Sequence, residues 1–321
     1  MSRRRQKLRQ QAYWSDQPGL FDLPPEGGTD SPMPELSDAD SDAERLQFIS
    51  FGSGSSGNCA YIGTASCGLL IDAGVNNNIV LEQLAANAID VNTIRGILLT
   101  HDHFDHVQYA YAILRRHPHM RLYTTPKALN GLLRRHNTSR RIADYHQPIY
   151  KEFPFNVGPF TVTAFETSHD GSDNMGYCIE AGEIVFTVAT DTGFITPRAD
   201  YYLRKAQYVM LESDYDEYML RTGPYGAHLK ARVASSTGHM DNADTGRFLA
   251  QIAPEGRLKR VFLCHLSHIN NTPEKAVGTI TDILTAAGID VCPDAMPLPL
   301  DRRLHLLPLP RSTSSPLVIL S

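Results

Sequence analysis

The sequence lacks the patterns that mark several protein classes. No run of residues approaches the roughly 20 apolar positions that a membrane-spanning helix requires, and no apolar signal core follows the basic start. We therefore expect a protein with no membrane partner and a cytoplasmic location. No Cys-x-x-Cys pair occurs, and the five cysteines are scattered and odd in number, which argues against a disulfide scaffold, a thioredoxin motif or a zinc ribbon.

A strong excess of charge is also missing from most of the chain. The whole sequence carries 30 basic and 35 acidic residues, a formal net charge of −5. Most of this imbalance comes from residues 1–44, where a basic block precedes an acidic one and apolar periodicity is absent. We predict that residues 1–44 form a disordered extension. The remaining body is nearly neutral, so its net charge says little about its partners.

Residues 45–296 have the pattern of a compact α/β catalytic domain. Short apolar runs bounded by glycine, serine and asparagine predict strands, and segments with helical apolar spacing predict helices. The order strands, helices, strands, helices predicts two mixed β-sheets packed together with helices outside, an αββα sandwich. Residues 297–321 are rich in proline, which continues neither a helix nor a central strand, so we expect a C-terminal appendage there.

Histidine is concentrated where one predicted strand ends. The apolar run RGILLT stops at Thr100. Four candidate metal ligands follow within one turn: His101, His103, Asp105 and His106. Cationic imidazoles this close would repel one another, whereas neutral imidazoles and a carboxylate can share a divalent metal ion. The alternative interpretation is a solvated polar loop.

Three further candidates stand at the ends of later strand-like runs. They are His169 after FTVTAFETS, Asp191 after IVFTVAT and His265 after RVFLC. A lone histidine is more often a structural or surface residue than a ligand. Together with the histidine turn, however, the three complete a set of seven donors, as two adjacent cations would require if one carboxylate bridged them.

The signature His-x-His-x-Asp-His, followed by separate histidine, aspartate and histidine residues, resembles the metallo-β-lactamase fold superfamily. The resemblance covers essentially all of residues 45–296. It implies a metal ion on His101, His103 and His169, a second on Asp105, His106 and His265, and Asp191 between them.

Further segments resemble one group of this superfamily, the YycJ/WalJ group of 5′-to-3′ DNA exonucleases. They are FGSGSSGN (51–58), LLIDAG (69–74), SHDGSDNMGY (168–177), YMLRTGPY (218–225), GHMDN (238–242) and HLSHINN (265–271). One segment departs from the group, which tends to show Glu-Ser-Asn-His-Asp where this chain has Glu212-Ser213-Asp214-Tyr215-Asp216. A role for that loop in the site is therefore not implied.

Two positions separate the chain from other branches of the superfamily. The β-lactamases of this fold often carry cysteine at the fourth motif, where Asp191 offers a hard oxygen instead. The flavin-linked di-iron reductases place glutamate where this chain has His103. We therefore expect neither antibiotic hydrolysis nor redox chemistry.

Phosphodiester hydrolysis makes full use of two adjacent cations. Two cations about 3.5 to 4 Å apart can lower the pKa of a bridging water to about 7 and clamp the attacking and leaving oxygens. We expect Asp105 and Asp191 to orient the hydroxide and His239 to donate a proton to the leaving oxygen, unless His239 only caps the following helix. Nitrogen and oxygen ligands suit two divalent ions of zinc or manganese and allow iron.

Other residues are candidates for substrate contacts. Ser55, Ser56 and Asn58 lie in a glycine-rich loop whose N–H groups could cradle a phosphate or could form a simple hairpin turn. Asn270 and Asn271 could orient substrate or ligands. Eight basic side chains could follow a nucleic-acid backbone or could be solvated helix faces: Arg115, Arg116, Arg134, Arg135, Arg140, Arg141, Lys230 and Arg232.

The sequence thus predicts a dinuclear metal-dependent nuclease, an exonuclease acting on DNA rather than RNA in DNA repair. One rival is a hydrolase of a thioester, lactone or cyclic nucleotide, which would need a closed apolar pocket in place of a broad basic groove. A second rival is a binding scaffold without activity, which would have no reason to retain seven ligands.

The N-terminal extension carries one candidate partner motif. Gln17, Leu20 and Phe21 resemble the pentapeptide by which bacterial replication and repair proteins dock on the sliding DNA clamp. Disordered tails are where such peptides act. A chance match is the alternative.

Overall fold

The structure is a computed structural model that describes residues 45–294 and 296–321. The predicted extension (1–44) and the clamp motif of Gln17, Leu20 and Phe21 lie outside the described residues. Among the residues that are described, no helix is both long and apolar enough to cross a lipid bilayer.

The first sheet combines an antiparallel and a parallel half. Its seven strands are β1 (Leu46–Gly52), β2 (Cys59–Gly63), β3 (Gly68–Ile71), β4 (Ile94–Leu98), β5 (Arg121–Thr124), β6 (His146–Pro148) and β15 (Val318–Leu320). Their spatial order is β15-β1-β2-β3-β4-β5-β6. Pairing is antiparallel from β15 to β3 and parallel from β3 to β6.

The second sheet is also mixed. Its eight strands are β7 (Phe155–Val157), β8 (Phe160–Glu166), β9 (Met175–Ala181), β10 (Ile184–Ala189), β11 (Tyr208–Glu212), β12 (Arg260–Cys264), β13 (Val291–Pro293) and β14 (Leu304–Pro308). Their order is β13-β14-β12-β11-β10-β9-β8-β7. The strands from β13 to β10 are parallel, and those from β10 to β7 are antiparallel.

The described residues form nine helices, six of which begin after a residue whose side chain caps them. They are α1 (Asn77–Ala86), α2 (Phe104–Val107), α3 (Ala110–Arg116), α4 (Pro126–Arg135), α5 (Pro197–Lys205), α6 (Glu217–Thr222), α7 (Ala227–Val233), α8 (Asn242–Ile252) and α9 (Pro273–Ala286). Thr125 caps α4 and Thr272 caps α9, each followed by a proline in the first turn. Such a proline lacks only an N–H that would have no partner within the helix.

Three hydrophobic clusters lie between the four layers of the fold, which are two sheets with helices on the outer side of each. The central cluster joins the facing sides of the two sheets, where the Phe48 ring lies 5.1 Å from Phe186 and 4.5 Å from Phe262. The second cluster packs the first sheet against α1, α3 and α4, and the third packs the second sheet against α5, α8 and α9. The predicted αββα sandwich is therefore confirmed.

The C-terminal segment corrects one expectation. Residues 297–321 are not an appendage, because β14 lies between β12 and β13 inside the second sheet and β15 pairs with β1 in the first. The prolines stand at the end of β14 and in the connections on either side of it, so the buried run Leu304–Leu307 is free to pair. The proline content of this segment led to a wrong prediction, because the position of each proline decides whether a strand can form and the number of prolines does not.

Candidate metal centre

Loops at one edge of the two sheets carry the candidate ligands. β3 and β4 run parallel in the first sheet, and β10, β11 and β12 run parallel in the second. Because ligands in α/β sheets gather beyond the carboxyl ends of parallel strands, side chains that follow these strands are well placed to form a site. His101 follows β4, Asp191 follows β10 and His265 follows β12.

Three residues of this edge have a left-handed backbone. The φ angle is +60° at Asp72 after β3, +50° at Asp191 and +55° at His265. Residues other than glycine rarely adopt this region, and such conformations cluster at functional sites. The fold therefore accepts a conformational cost to present these three side chains.

One group of donors joins the histidine turn to the loop after β8. Nδ1 of His103 lies 3.2 Å from Nε2 of His169. The donor atoms of His101, His103 and His169 all lie within 4.8 Å of one another. This is the set that the sequence resemblance implied for one metal ion.

A second group lies directly beside the first. Oδ2 of Asp105 lies 3.6 Å from Nε2 of His106 and 3.7 Å from Nε2 of His265. Asp191 stands between the groups, since its Oδ2 lies 3.3 Å from His106 Nε2 and its Oδ1 lies 3.7 Å from His169 Nε2. The fold thus brings all seven predicted ligands into one cluster.

Buried nitrogens in this cluster lack hydrogen-bond partners. His101 is 1% exposed and His265 is 4% exposed, yet Nε2 of each makes no hydrogen bond with any described residue. A buried polar atom left without a partner costs roughly 1–3 kcal/mol. A bound cation would satisfy both nitrogens, and five imidazoles with two carboxylates and no thiolate suit zinc, manganese or iron. The residues present therefore fit divalent metal ions.

The outer nitrogens of the ligand rings are anchored. Nδ1 of His106 donates to Oδ2 of Asp72 at 2.7 Å, and Nδ1 of His169 donates to the carbonyl oxygen of Gly238 at 2.9 Å. Such contacts fix the ring orientation and turn Nε2 of each ring toward the other donors of the cluster. The two rings are therefore held ready to coordinate.

The electrostatics of the cluster favour one neutral ring and one ionised carboxylate. Burial lowers the pKa of His101 well below its usual range, and a neutral imidazole is the form that binds metal. Burial alone would raise the pKa of Asp191, but the nearby His265 and His106 rings hold it well below its usual range.

His239 lies at the edge of the cluster. Its Nδ1 lies 2.7 Å from Oε1 of Glu212, and its ring stacks on that of His265 with centroids 5.0 Å apart and planes 11° apart. Burial alone would lower the pKa of His239, but the Glu212 carboxylate raises it to about 9. The capping alternative does not apply, because the side chain that caps α8 is that of Asp241.

Sequence reasoning missed two carboxylates of the site. Glu212 ends β11, is fully buried and lies 3.3 Å from Nδ1 of His265 in addition to its contact with His239. The second is Asp72, which anchors His106. The available signal was that each closes an apolar strand at the edge where the ligands stand. The loop that begins at Glu212 therefore belongs to the site although its sequence departs from the group pattern.

Two of the predicted substrate residues serve the fold instead. The Asn58 amide donates to the carbonyl of Gly54 and to Oδ2 of Asp105 at 3.2 Å, so it braces the ligand loop. The Asn271 amide donates to the carbonyls of Ser213 and Asp214 at 2.9 and 3.0 Å. These side chains are buried, and their amides are already occupied.

The other substrate candidates remain free for contacts. Ser55 and Ser56 are exposed at the tip of the glycine-rich loop. Asn270 is buried, and neither polar atom of its side chain has a partner among the described residues. The roles of these three residues stay predictions.

The cluster coincides with the extent of a family match. A model described as the beta-lactamase superfamily domain matches residues 68–266, a range that contains all seven candidate ligands. The chain belongs to this superfamily.

Two curated relatives narrow the position within the superfamily. Exodeoxyribonuclease YycJ of Bacillus anthracis is 30% identical over 252 residues, which are 77% of this chain and 92% of that protein. Exodeoxyribonuclease WalJ of Streptococcus pneumoniae is 29% identical over 246 residues, 77% of this chain and 91% of that protein. The chain is therefore YycJ/WalJ-like, as its motifs indicated.

A solved structure has the same superfamily fold. The metallo-β-lactamase fold protein YhfI from Bacillus subtilis aligns with a TM-score of 0.59 and 13% identity, covering 84% of this chain and 98% of that one. At this identity the likeness concerns the fold alone. It agrees with the two mixed sheets and flanking helices described above.

Proposed function

We propose that the chain is a dinuclear metal-dependent phosphodiester hydrolase, a 5′-to-3′ DNA exonuclease that acts in DNA repair. Family membership makes the chain a metal-dependent hydrolase of the β-lactamase superfamily. The observation that carries the more specific proposal, DNA exonuclease activity with two ions, is the cluster of seven nitrogen and oxygen donors in a chain 30% identical to an exodeoxyribonuclease.

The residues of the cluster divide into two groups, each of which would hold one ion. One ion would be held by His101, His103 and His169, the other by Asp105, His106 and His265, with Asp191 facing both. When bound, two such ions supply Lewis acidity to water and to the phosphoryl oxygens.

His239 supplies the remaining group that the reaction needs. Glu212 holds Nδ1 of the ring and favours its protonated form, which leaves the Nε2 proton available for the departing oxygen of the phosphodiester. Protonation of this oxygen allows the cleaved strand to leave as an alcohol. Glu212 acts here as a positioning residue, because it works through His239.

The small-substrate alternative receives less support. The cavity beside the ligands measures about 340 Å³. Its lining is largely polar and consists of Glu166, Thr167, Ser168, His169, Asn174, Phe194, Thr196 and Pro197. A thioester or lactone hydrolase would need an enclosed apolar pocket at this position.

The proposal is tested by incubating metal-reconstituted protein with end-labelled single- and double-stranded DNA and RNA. Asp105→Ala and His239→Ala variants are measured in parallel. We expect stepwise loss of nucleotides from the 5′ end of DNA, a strong loss of activity in both variants and slower attack on RNA. Full activity of Asp105→Ala would contradict the proposal.

Three further predictions from the sequence stay open to test. Clamp docking through Gln17, Leu20 and Phe21 lies outside the described residues. Changing Leu20 and Phe21 to Ala should abolish binding to the purified sliding clamp without altering activity on free DNA, and unchanged binding would refute the motif. The cytoplasmic location and the identity of the metal are the other two.

A further inference from the structure

A basic cavity lies on helix α4. It measures about 750 Å³ and is lined by Lys127, Asn130, Leu133, Arg134, Arg140 and Ala143. Three of these six side chains are cationic and none is acidic. Lys127, Asn130 and Arg134 follow one another at spacings of three and four residues, so they share one face of the helix.

The cations of this cavity are free of ion pairs. Within the described ranges, neither Lys127 nor Arg134 nor Arg140 pairs with a carboxylate. Other arginines of the chain are neutralised locally, for example Arg135 by Asp102 at 3.3 Å and Arg232 by Asp170 at 2.8 Å. Unpaired, exposed cations that converge on one cavity are placed to bind an anionic ligand.

The same helix packs against the metal loops. A Cβ atom added at Gly131 would lie 2.3 Å from both Oδ2 of Asp102 and Oγ of Ser172, so α4 approaches these loops as closely as its backbone allows. In the sequence, Asp102 lies between the candidate ligands His101 and His103, and Ser172 lies three residues after His169. Arg134 is three residues from Gly131 and is its neighbour on the helix surface. The helix that carries the cavity therefore packs directly against the loops that carry candidate ligands.

An exposed aromatic ring lies between the metal ligands and the carboxyl end of α4. Phe104 lies between the ligands His103 and Asp105 in sequence, and its side chain is 56% exposed. Its ring lies 5.8 Å from that of His136, which directly follows the last residue of α4. A strip from the metal ligands over Phe104 and His136 thus reaches the carboxyl end of α4, the helix that carries cations of the cavity.

We propose that this strip, defined as Phe104, His136, Lys127, Arg134 and Arg140, binds a single strand of DNA next to the bond that is cleaved. Phe104 stacks on an unpaired base, and the cations bind the phosphates of the following nucleotides. Aromatic stacking beside a positively charged groove is how proteins hold single strands without sequence preference. The inference rests on the proposed nuclease function and adds its substrate class and path.

Binding is measured without cleavage, by fluorescence anisotropy in EDTA. The probe is a fluorescein-labelled single strand of about 12 nucleotides, within the usual range of single-strand site sizes. In the double variant Arg134→Glu/Arg140→Glu we expect affinity to fall on the order of tenfold or more, with a shallower dependence on salt, because two phosphate contacts are lost. The charge-preserving variant Arg134→Lys/Arg140→Lys should restore most of the affinity.

A matched control separates the strip from general charge effects. Arg257→Glu/Arg302→Glu makes the same charge change at exposed positions elsewhere, where neither arginine has an ion pair within the described ranges. It should bind the strand as the unchanged protein does. Equal loss of affinity in the two Glu variants, or no loss in Arg134→Glu/Arg140→Glu, would overturn the proposal.

The stacking part has its own test. Phe104→Ala should weaken single-strand binding by about tenfold, while Tyr201→Ala, which removes another exposed ring, should not. A blunt duplex of the same length should bind less tightly and respond little to Phe104→Ala, because its bases are paired. An equal effect of Phe104→Ala on strand and duplex would contradict stacking.

Failure of this inference differs from failure of the proposed function. If the unchanged protein degrades DNA while the strip variants bind strands normally, only the strip is wrong. If the strip variants lose binding but the metal-loaded protein cleaves no DNA, the strip stands and the nuclease proposal falls.

Discussion

Strand β12 has a buried histidine and carboxylate cluster at each end, and the two differ in a way that identifies the functional one. Beyond its carboxyl end, His265 joins the seven-donor cluster. At its first residue, Arg260 lies within a second cluster of Cys292, Asp294 and His305. A five-residue strand spans roughly 16 Å, so the two clusters lie at opposite ends of the strands of this sheet.

The second cluster already contains its cation. Arg260 pairs with Oδ2 of Asp294 at 3.3 Å, and Nδ1 of His305 donates to the same oxygen at 2.9 Å. Nε2 of His305 accepts the backbone N–H of Asp301 at 3.2 Å. Both ring nitrogens are therefore satisfied without a metal ion.

The metal centre shows the opposite condition. Nε2 of His101 and Nε2 of His265 are buried without hydrogen bonds in the described part of the chain, and none of the ion pairs around Asp191 involves an arginine or lysine. Clustering of histidine and aspartate therefore does not by itself indicate a metal site. Unsatisfied inward-facing donors distinguish a site that needs a cation from one that has one.

Removing the central carboxylate should give the largest effect. In Asp191→Asn we expect DNA hydrolysis to fall on the order of a thousandfold and metal content to drop, because this side chain faces both donor groups. Asp294→Asn at the other end of the strand is the control, and its folded fraction should keep its metal content. Equal metal loss in both variants would erase the distinction between the clusters.

Breaking the second cluster should cost stability instead of metal. Arg260→Met leaves Asp294 buried without its cation, and removing one partner of a buried pair costs about 3–5 kcal/mol of unfolding free energy. Urea unfolding measures this loss. The exposed pair of Arg303 with Asp301 provides the control, since Arg303→Met should cost far less unfolding free energy than Arg260→Met. A small loss in Arg260→Met would show that the pair is dispensable.

His239 tests the division of labour within the metal centre. In His239→Gln we expect DNA hydrolysis to fall by about a hundredfold with metal content unchanged, because the role proposed for this side chain is that of proton donor and not of ligand. Metal analysis and hydrolysis rates on the same sample measure both quantities. A matching loss of metal would make His239 a ligand instead.

Asp72 should give the smallest effect. Asp72→Asn weakens the contact that orients His106, and loss of such an outer partner lowers metal affinity about 10- to 100-fold. Competition with a chelating dye measures the affinity. An unchanged affinity would mean that the fold alone orients His106.

The four ligands of the histidine turn were easier to predict from the sequence than the separate ligands Asp191 and His265. His101, His103, Asp105 and His106 fall within one turn, so spacing alone indicated a metal site. Asp191 and His265 were candidates from their positions after strand-like runs, but only the similarity to a known family assigned them to particular ions, since local sequence does not reveal that β10 and β12 end at the same edge. The same limitation hid Glu212, whose role depends on β11 lying between those two strands.

The layers of the fold followed from apolar periodicity, but the C-terminal strands did not. The run around Leu304 pairs with β12 although proline flanks it, and only long-range pairing shows this. Asn58 and Asn271 illustrate the same point for the site. Their residue type suited substrate contacts, whereas their burial and hydrogen bonds assign them to the ligand loops.

We propose that the donor cluster around Asp191 holds two cations that are needed to cleave DNA. The decisive measurement strips the protein with a chelator and titrates zinc or manganese back, while bound metal is counted and nucleotide release from labelled DNA is measured. We predict that activity is lost on stripping and returns as two equivalents bind. Full activity without metal, or activity that does not follow metal binding, would contradict it.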